Sequence, residues 1–325
     1  MPHDLALPLT FIPVYQPLVW GGRRLARHRQ DLPEGPIGES WDLADQERGM
    51  SVVEAGALAG RTLRDLTRTY GKALVGEDWD GGDFPLLVKL IDAADRLSIQ
   101  VHPDDELALR LKVGARGKTE CWLLLAEGGE LFVGLQPGVT RESFEAARAA
   151  GRVADCLVRH QVKAGDFAFL PARTVHALGR GCLLYEVQQT CDVTFRVDDW
   201  GRPGLDGRPR PLHVAEALAT IDFSGSVGGG LSNPGFHPHP AGGQVRALAA
   251  CPYFSVEERR AGRTSGGGGS GCSIVTCLHG HGSLATAAGA VRLSPWRTAL
   301  VPAAAGAWTA SSEAGELGLL VSQPG

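Results

Sequence analysis

The amino-acid sequence predicts a mainly β protein with some helices, and three observations carry that prediction. Glycine and proline are abundant, 44 and 20 of 325 residues, whereas aromatic residues make up only 6%. That usage fits many turns between short strands better than a helical bundle. Several segments alternate apolar and polar residues with a period of two, most clearly Leu97-Ser98-Ile99-Gln100-Val101-His102. Only a few stretches show the three-to-four spacing of an amphipathic helix.

A chain of this length exceeds one typical domain, so two are expected. Residues 224–243 are glycine, proline and histidine with little periodicity and read as a linker between a domain at 1–223 and a smaller β domain at 244–325. The apolar N-terminal stretch, Leu5 to Trp20, is interrupted by Pro8, Pro13 and Pro17 and has no Lys or Arg before it, so neither a signal peptide nor a membrane span fits. Trp20-Gly21-Gly22 and Gly38-Glu39-Ser40-Trp41 are turn-rich. Leu63, Leu66, Tyr70 and Leu74 predict a helix with Thr62 as N-cap. Strands are predicted at 84–91, 97–102 and 118–125, and Pro103-Asp104-Asp105-Glu106 has the character of a helix start. A helical pattern runs from Arg141 to Val158. Gly165 to Pro171 and Thr174 to Leu178 read as strand, turn and strand, followed by a strand pair in Cys182 to Asp198. In the last eighty residues, short apolar runs at 244–248, 273–278, 299–301 and 317–321 predict further strands, with Gly266 to Gly271 a mobile loop.

With 32 basic and 36 acidic residues the formal charge is −4, and no long basic run exists. That excludes an electrostatic footprint for nucleic acid or an anionic membrane. The seven cysteines are scattered and contain no Cys-x-x-Cys pair, which points to reduced thiols and a cytoplasmic location.

The 97–102 strand carries more polar residues than packing requires. Leu97, Ile99 and Val101 can face a core while Ser98, Gln100 and His102 line the opposite side, Gln100 and His102 being roughly 6.6 Å apart along the backbone. On the 118–125 strand, Lys118, Glu120 and Trp122 share a face. Gln100, His102, Glu120 and His176 together offer two imidazoles, a carboxylate and an amide oxygen. Such a donor set suits Zn²⁺, or Fe²⁺, Mn²⁺ or Co²⁺, and its lack of cysteine argues against a closed structural zinc site. Singly, each reads as an ordinary strand or turn residue, so the joint reading needs a fold that brings three strands together. His237 and His239 lie in the linker, where a solvated segment is the better reading.

Gly165 through Pro171 followed by His176 resembles the second metal motif of a cupin barrel. Ser98 to Pro103, Gly117-Lys118-Thr119-Glu120 and Asp192-Val193-Thr194-Phe195-Arg196, with Trp20-Gly21-Gly22 and Gly38 to Trp41, resemble the type I mannose-6-phosphate isomerases in their short bacterial form. The resemblance spans most of residues 15–200 and continues weakly through Cys251-Pro252-Tyr253-Phe254-Ser255. It implies two cupin-like β-barrels (jelly rolls), the first with the metal site and helical insertions. It also implies one Zn²⁺ per chain and isomerisation of mannose 6-phosphate to fructose 6-phosphate through an enediol. By position it assigns Gln100, His102, Glu120 and His176 to the metal. Arg196 falls on the active-site arginine, Lys118 has a catalytic or phosphate-binding role, and Ser98, Lys89 and Glu186 lie on the substrate side. Glu186 is also a candidate for proton transfer. The expected partner is a small sugar phosphate, and oligomeric state is not legible. The last domain has a His279-x-His281 pair, but Ala307 stands where a third ligand would fall, so no metal is expected there. An isomerase of unphosphorylated mannose or fructose, a cupin oxygenase using Fe²⁺ and a non-catalytic sugar-binding cupin are the alternatives.

Overall fold

The computed structural model describes residues 3–325. Two compact units emerge from it: one comprises 1–14, 41–88 and 234–325, the other 15–40 and 89–233. This division differs from the expected boundary after residue 223. The reason is strand pairing, since Leu9–Ile12 hydrogen-bonds to Thr298–Val301 on one side and to Val52–Val53 on the other. These early segments thereby complete the sheet of the C-terminal unit.

That unit contains an eight-stranded sheet, in the order His237–Pro238, Gln244–Ala250, Phe254–Ala261, Leu317–Pro324, Ser273–His279, Thr298–Val301, Leu9–Ile12 and Val52–Val53. A four-stranded sheet, Arg263–Gly267, Ala307–Ser312, Gly282–Thr286 and Gly289–Leu293, accompanies it. Val275, Leu319 and Val321 from the first sheet pack with Leu284, Trp308 and Ala310 from the second. Part of the glycine run expected to be a mobile loop is a strand edge, because Gly266 and Gly267 pair with Trp308 and Ala307. A side chain at Gly266 would meet the Trp308 ring at 2.5 Å, so the close approach requires glycine.

The other unit has a five-stranded sheet in the order Leu157–Val162, Gly129–Leu135, His176–Leu178, Ile99–Val101 and Phe195–Asp198. Opposite it runs a sheet in the order Gly230–Ser232, Phe167–Leu170, Glu120–Leu124, Leu183–Gln189, Leu86–Asp92, Ile37–Leu43 and Val14–Gly22. Trp122, Leu124 and Leu184 from the larger sheet and Leu131, Val133 and Leu178 from the smaller share one core. The outer face of the smaller sheet is covered by helices Arg141–Ala149 and Val214–Thr220, through Phe144 and Ala217 packing on Ile99, Val101 and Ala177. Each sheet is open and ends on edge strands, so the jelly-roll expectation is met as facing sheets rather than as rings of strands hydrogen-bonded throughout.

Several local expectations need correction. The helix from Leu63 stops at Tyr70, where Gly71 takes φ 49°, and resumes as Lys72–Val75; Thr62 does cap it, accepting from Asp65 N at 3.0 Å. The helical pattern from Arg141 ends at Ala149 beside Gly151 at φ 69°, and the alternation that follows forms the strand Leu157–Val162. The 224–243 segment is not featureless: Gly230–Ser232 and His237–Pro238 each add to a sheet edge. No helix among the described residues is long and apolar enough to cross a membrane.

Leu184 is fully buried between the sheets, whereas Leu109 is 60% exposed. Leu184→Ala should lower unfolding free energy by roughly 2–5 kcal/mol, and Leu109→Ala by less than about 0.5 kcal/mol, in urea titrations followed by circular dichroism.

Candidate active site

Strand register brings the polar residues together. Gln100 sits directly opposite His176 on one side and Arg196 on the other, and directly opposed residues share a face. In the facing sheet Trp122 lies opposite Glu186 and Glu120 opposite Gln188, and the period of two puts Glu120 and Trp122 on one face. Core packing between the sheets turns both faces inward. The result is a buried cluster in which His102, Glu120 and His176 each offer a ligand atom, all within 4.8 Å of one another.

Hydrogen bonds to backbone carbonyls fix the imidazoles. His102 Nδ1 lies 2.8 Å from Val193 O and His176 Nδ1 lies 2.8 Å from Thr174 O. A carbonyl only accepts, so each Nδ1 carries a proton and each ring turns its Nε2 into the cluster. Burial holds His102 well below the usual imidazole range, with the Lys118 charge acting in the same direction. Glu120 is completely buried. Burial would raise its pKa, but Lys118 and then His102 hold the carboxyl well below the usual range. Its Oε1 lies 3.6 Å from His102 Nε2 and 3.2 Å from His176 Nε2, yet accepts no hydrogen bond.

Two ring nitrogens and a carboxylate oxygen thus converge on one point. The donors reaching the ring nitrogens are long: Gln100 Nε2 at 3.5 and 3.4 Å, and Lys118 Nζ at 3.3 Å from His102. A cation resolves this arrangement. Ligands about 2.1 Å from a tetrahedral ion stand ~3.4 Å apart, and four of the six separations in this set are 3.2, 3.4, 3.5 and 3.6 Å. Gln100 suits such an ion equally well. Its amide oxygen and nitrogen are assigned by their partners, and a half-turn would present Oε1 to the ion while Nε2 donates to Ser98 Oγ, now 3.0 Å from Oε1.

Around the cluster lies a buried charge network. Lys118 Nζ is 2.8 Å from Glu120 Oε2 and 3.8 Å from Glu186 Oε1; Lys89 Nζ is 3.3 Å from Glu186 Oε1 and 3.5 Å from Glu39 Oε2. Burial would lower both lysines, but the flanking carboxylates raise them, Glu120 and Glu186 for Lys118, Glu39 and Glu186 for Lys89. Both ammonium groups are therefore held charged. Glu186 behaves oppositely: burial raises its carboxyl, against Lys118 and Lys89 and with Glu120. Trp122 Nε1 donates to its Oε2 at 2.9 Å.

Arg196 stands apart from the cluster. Its Nη1 donates to Pro211 O at 2.7 Å, while its Nε is buried without a partner. Burial, then Arg210, lowers its pKa, and Asp199 opposes that shift. Two contributors escaped the sequence reading. Glu39 was noted only within a turn-rich segment. Trp122 was placed on the right face but not seen as a donor. Gln188 donates to Cys191 O at 2.6 Å and so braces the turn that supplies Val193 O to His102.

Comparison with known proteins now bears on this site. The catalytic-domain model of the type I phosphomannose isomerases matches residues 9–120. Mannose-6-phosphate isomerase ManA of Bacillus subtilis is 38% identical over 251 residues, covering 77% of this chain and 78% of ManA. The chain belongs to the type I phosphomannose isomerase family. A mannose-6-phosphate isomerase of Streptococcus mutans is 34% identical over 258 residues, covering 78% of each chain. The crystal structure of the mannose 6-phosphate isomerase from B. subtilis superposes with a TM-score of 0.88 at 28% identity, covering 98% of this chain and 99% of that one. A putative mannosephosphate isomerase from Archaeoglobus fulgidus, 21% identical with a TM-score of 0.77, shares the fold.

The depressed His102 has a consequence for stability. The unfolded chain binds a proton below about pH 6.5 that the folded chain refuses, so the histidine's contribution is present above that pH and lost as pH falls. In chelator, the wild type should lose stability more steeply between pH 6.5 and 5 than His102→Gln, by up to about 1.4 kcal/mol per pH unit. Urea unfolding at several pH values checks this, and parallel profiles would contradict it.

Proposed function

We propose that the chain interconverts mannose 6-phosphate and fructose 6-phosphate through an enediol, using one divalent ion, Zn²⁺ first, held by Gln100, His102, Glu120 and His176. The observation that carries this reading is the convergence of His102, Glu120 and His176 on one buried point beside Lys118, in a chain of this family. The histidine and carboxylate donors match zinc chemistry. When bound, the ion supplies Lewis acidity to the sugar's C1 and C2 oxygens.

The remaining chemistry falls to the protein. The reaction moves a proton from C2 to C1 and a hydroxyl proton from O2 to O1, with no external oxidant or reductant. Lys118 and Lys89, both held charged, orient the anionic substrate and oppose charge developing on oxygen. Arg196 adds a guanidinium whose spare Nε is free to donate toward the same charge. Glu186, its carboxyl raised by burial, is suited to take and return a proton through Oε1, the oxygen facing the two lysines. Ser98 sets the Gln100 amide. Seven scattered cysteines with no Cys-x-x-Cys pair and the metabolic role are consistent with a cytoplasmic enzyme.

Purified protein should form mannose 6-phosphate from fructose 6-phosphate, lose this activity in chelator and regain it with Zn²⁺; a metal-loaded sample without turnover would contradict the proposal. Running the assay with fructose in place of its 6-phosphate decides whether the phosphate is required. His102→Ala should cost metal and turnover together. Arg196→Ala should retain metal while kcat falls by about 10²–10³-fold, and equal metal loss in both would overturn the assigned roles.

A further inference from the structure

A second cavity in the same unit, about 640 Å³, contains none of the proposed metal, lysine or arginine residues. Its volume lies within the range of small-molecule sites. The walls are aliphatic where Val133, Val158, Val175 and Leu231 contribute, and polar where His160, Arg173, Thr174 and Asp222 do. Two of the polar groups have donors to spare. Thr174 Oγ1 is buried and without a partner. Arg173 spends its Nε on Thr220 O at 3.2 Å and holds Asp104 only at 3.9 Å, leaving guanidinium N–H groups available. The one acid is saturated: Asp222 accepts from Ser224, Ser226 and Val227. Burial would raise its pKa, but these hydrogen bonds hold it at about 2.

The same wall grips the metal cluster from behind. Arg173 N donates to His102 O at 2.8 Å, and Thr174 O accepts from His176 Nδ1 at 2.8 Å. Arg173 does this at φ 73°, a conformation that a non-glycine side chain rarely adopts, so the turn is held by its surroundings. Two successive residues thus line the cavity and hold both histidines through their backbones.

We infer that this cavity binds a small organic anion with a short aliphatic body, and that binding there changes the affinity of His102 and His176 for a metal ion. The carboxylate or phosphate end meets Thr174 Oγ1, Arg173 and His160, and the hydrocarbon lies on the valines and Leu231. Coupling is reciprocal: whatever the anion does to metal affinity, the metal does to anion affinity. The inference stands independently of the reaction proposed above.

The test uses the full chain with pentanoate as probe, pentan-1-ol as its neutral counterpart and inorganic phosphate as the headgroup alone, each titrated by calorimetry. Pentanoate should bind saturably in the millimolar range and at least about fivefold more tightly than pentanol, and saturating pentanoate should change the Zn²⁺ dissociation constant by about fivefold. Val158→Trp, which fills the cavity, should abolish pentanoate binding, and Thr174→Val, which removes only the unpartnered hydroxyl, should weaken it. Absence of saturable binding to wild type, equal binding of pentanol, undiminished binding by folded Val158→Trp, or an unchanged Zn²⁺ constant would each overturn the inference. Should Val158→Trp not fold, Thr174→Val decides, and undiminished binding there is the contrary result. Tight phosphate binding that is lost in Thr174→Val would assign the site to phosphorylated anions.

Discussion

Everything in the candidate site depends on two hydrogen bonds that are not themselves part of it. The carbonyls of Val193 and Thr174 each accept a hydrogen bond from an Nδ1, and this turns both Nε2 atoms toward one buried carboxylate. Without a cation, three electron-rich atoms share a space closed to water, an arrangement that costs free energy in a low-dielectric interior. The fold sustains it because the strands are fixed by register and by the core beneath Trp122 and Leu178. Strain of this kind is expected at functional sites and is stabilised by the surrounding structure.

The lysines belong to the same balance. Lys118 and Lys89 alternate with Glu120, Glu186 and Glu39, so that with neutral imidazoles the buried network carries three acids against two bases. A divalent ion turns that deficit into a net positive charge, the sign that suits a phosphorylated sugar and an oxyanion formed from it. Removing one member of such a network strands its partner, which is why single substitutions there should act on both metal and turnover. The second cavity is tied in through Arg173 and Thr174, whose backbones hold the histidines.

Much of the site was legible in the sequence because a β-strand reports its faces with a period of two. Ser98, Gln100 and His102 alternating with Leu97, Ile99 and Val101 declared a polar inward row, and Lys118, Glu120 and Trp122 a second one. What periodicity could not supply was the pairing of His176 with Gln100 or of Glu186 with Trp122, since register is set by contacts between distant strands. Glu39 was invisible for the same reason, lying far along the chain from the lysine it accompanies. That the first strand joins the last unit was not legible because Leu9–Ile12 looks like any apolar segment until its partner, Thr298–Val301, is known. Breaks at Gly71 and Gly151 depended on left-handed turns that glycine permits but does not announce.

The central claim concerns protons on two rings, and long-range ¹H–¹⁵N correlation of the imidazoles in the metal-free protein measures it directly. His102 and His176 should both carry a proton on Nδ1, and the Nε2 resonances of both should move on adding Zn²⁺. A tautomer protonated only at Nε2 at either position, or Nε2 resonances indifferent to the metal, would contradict the account.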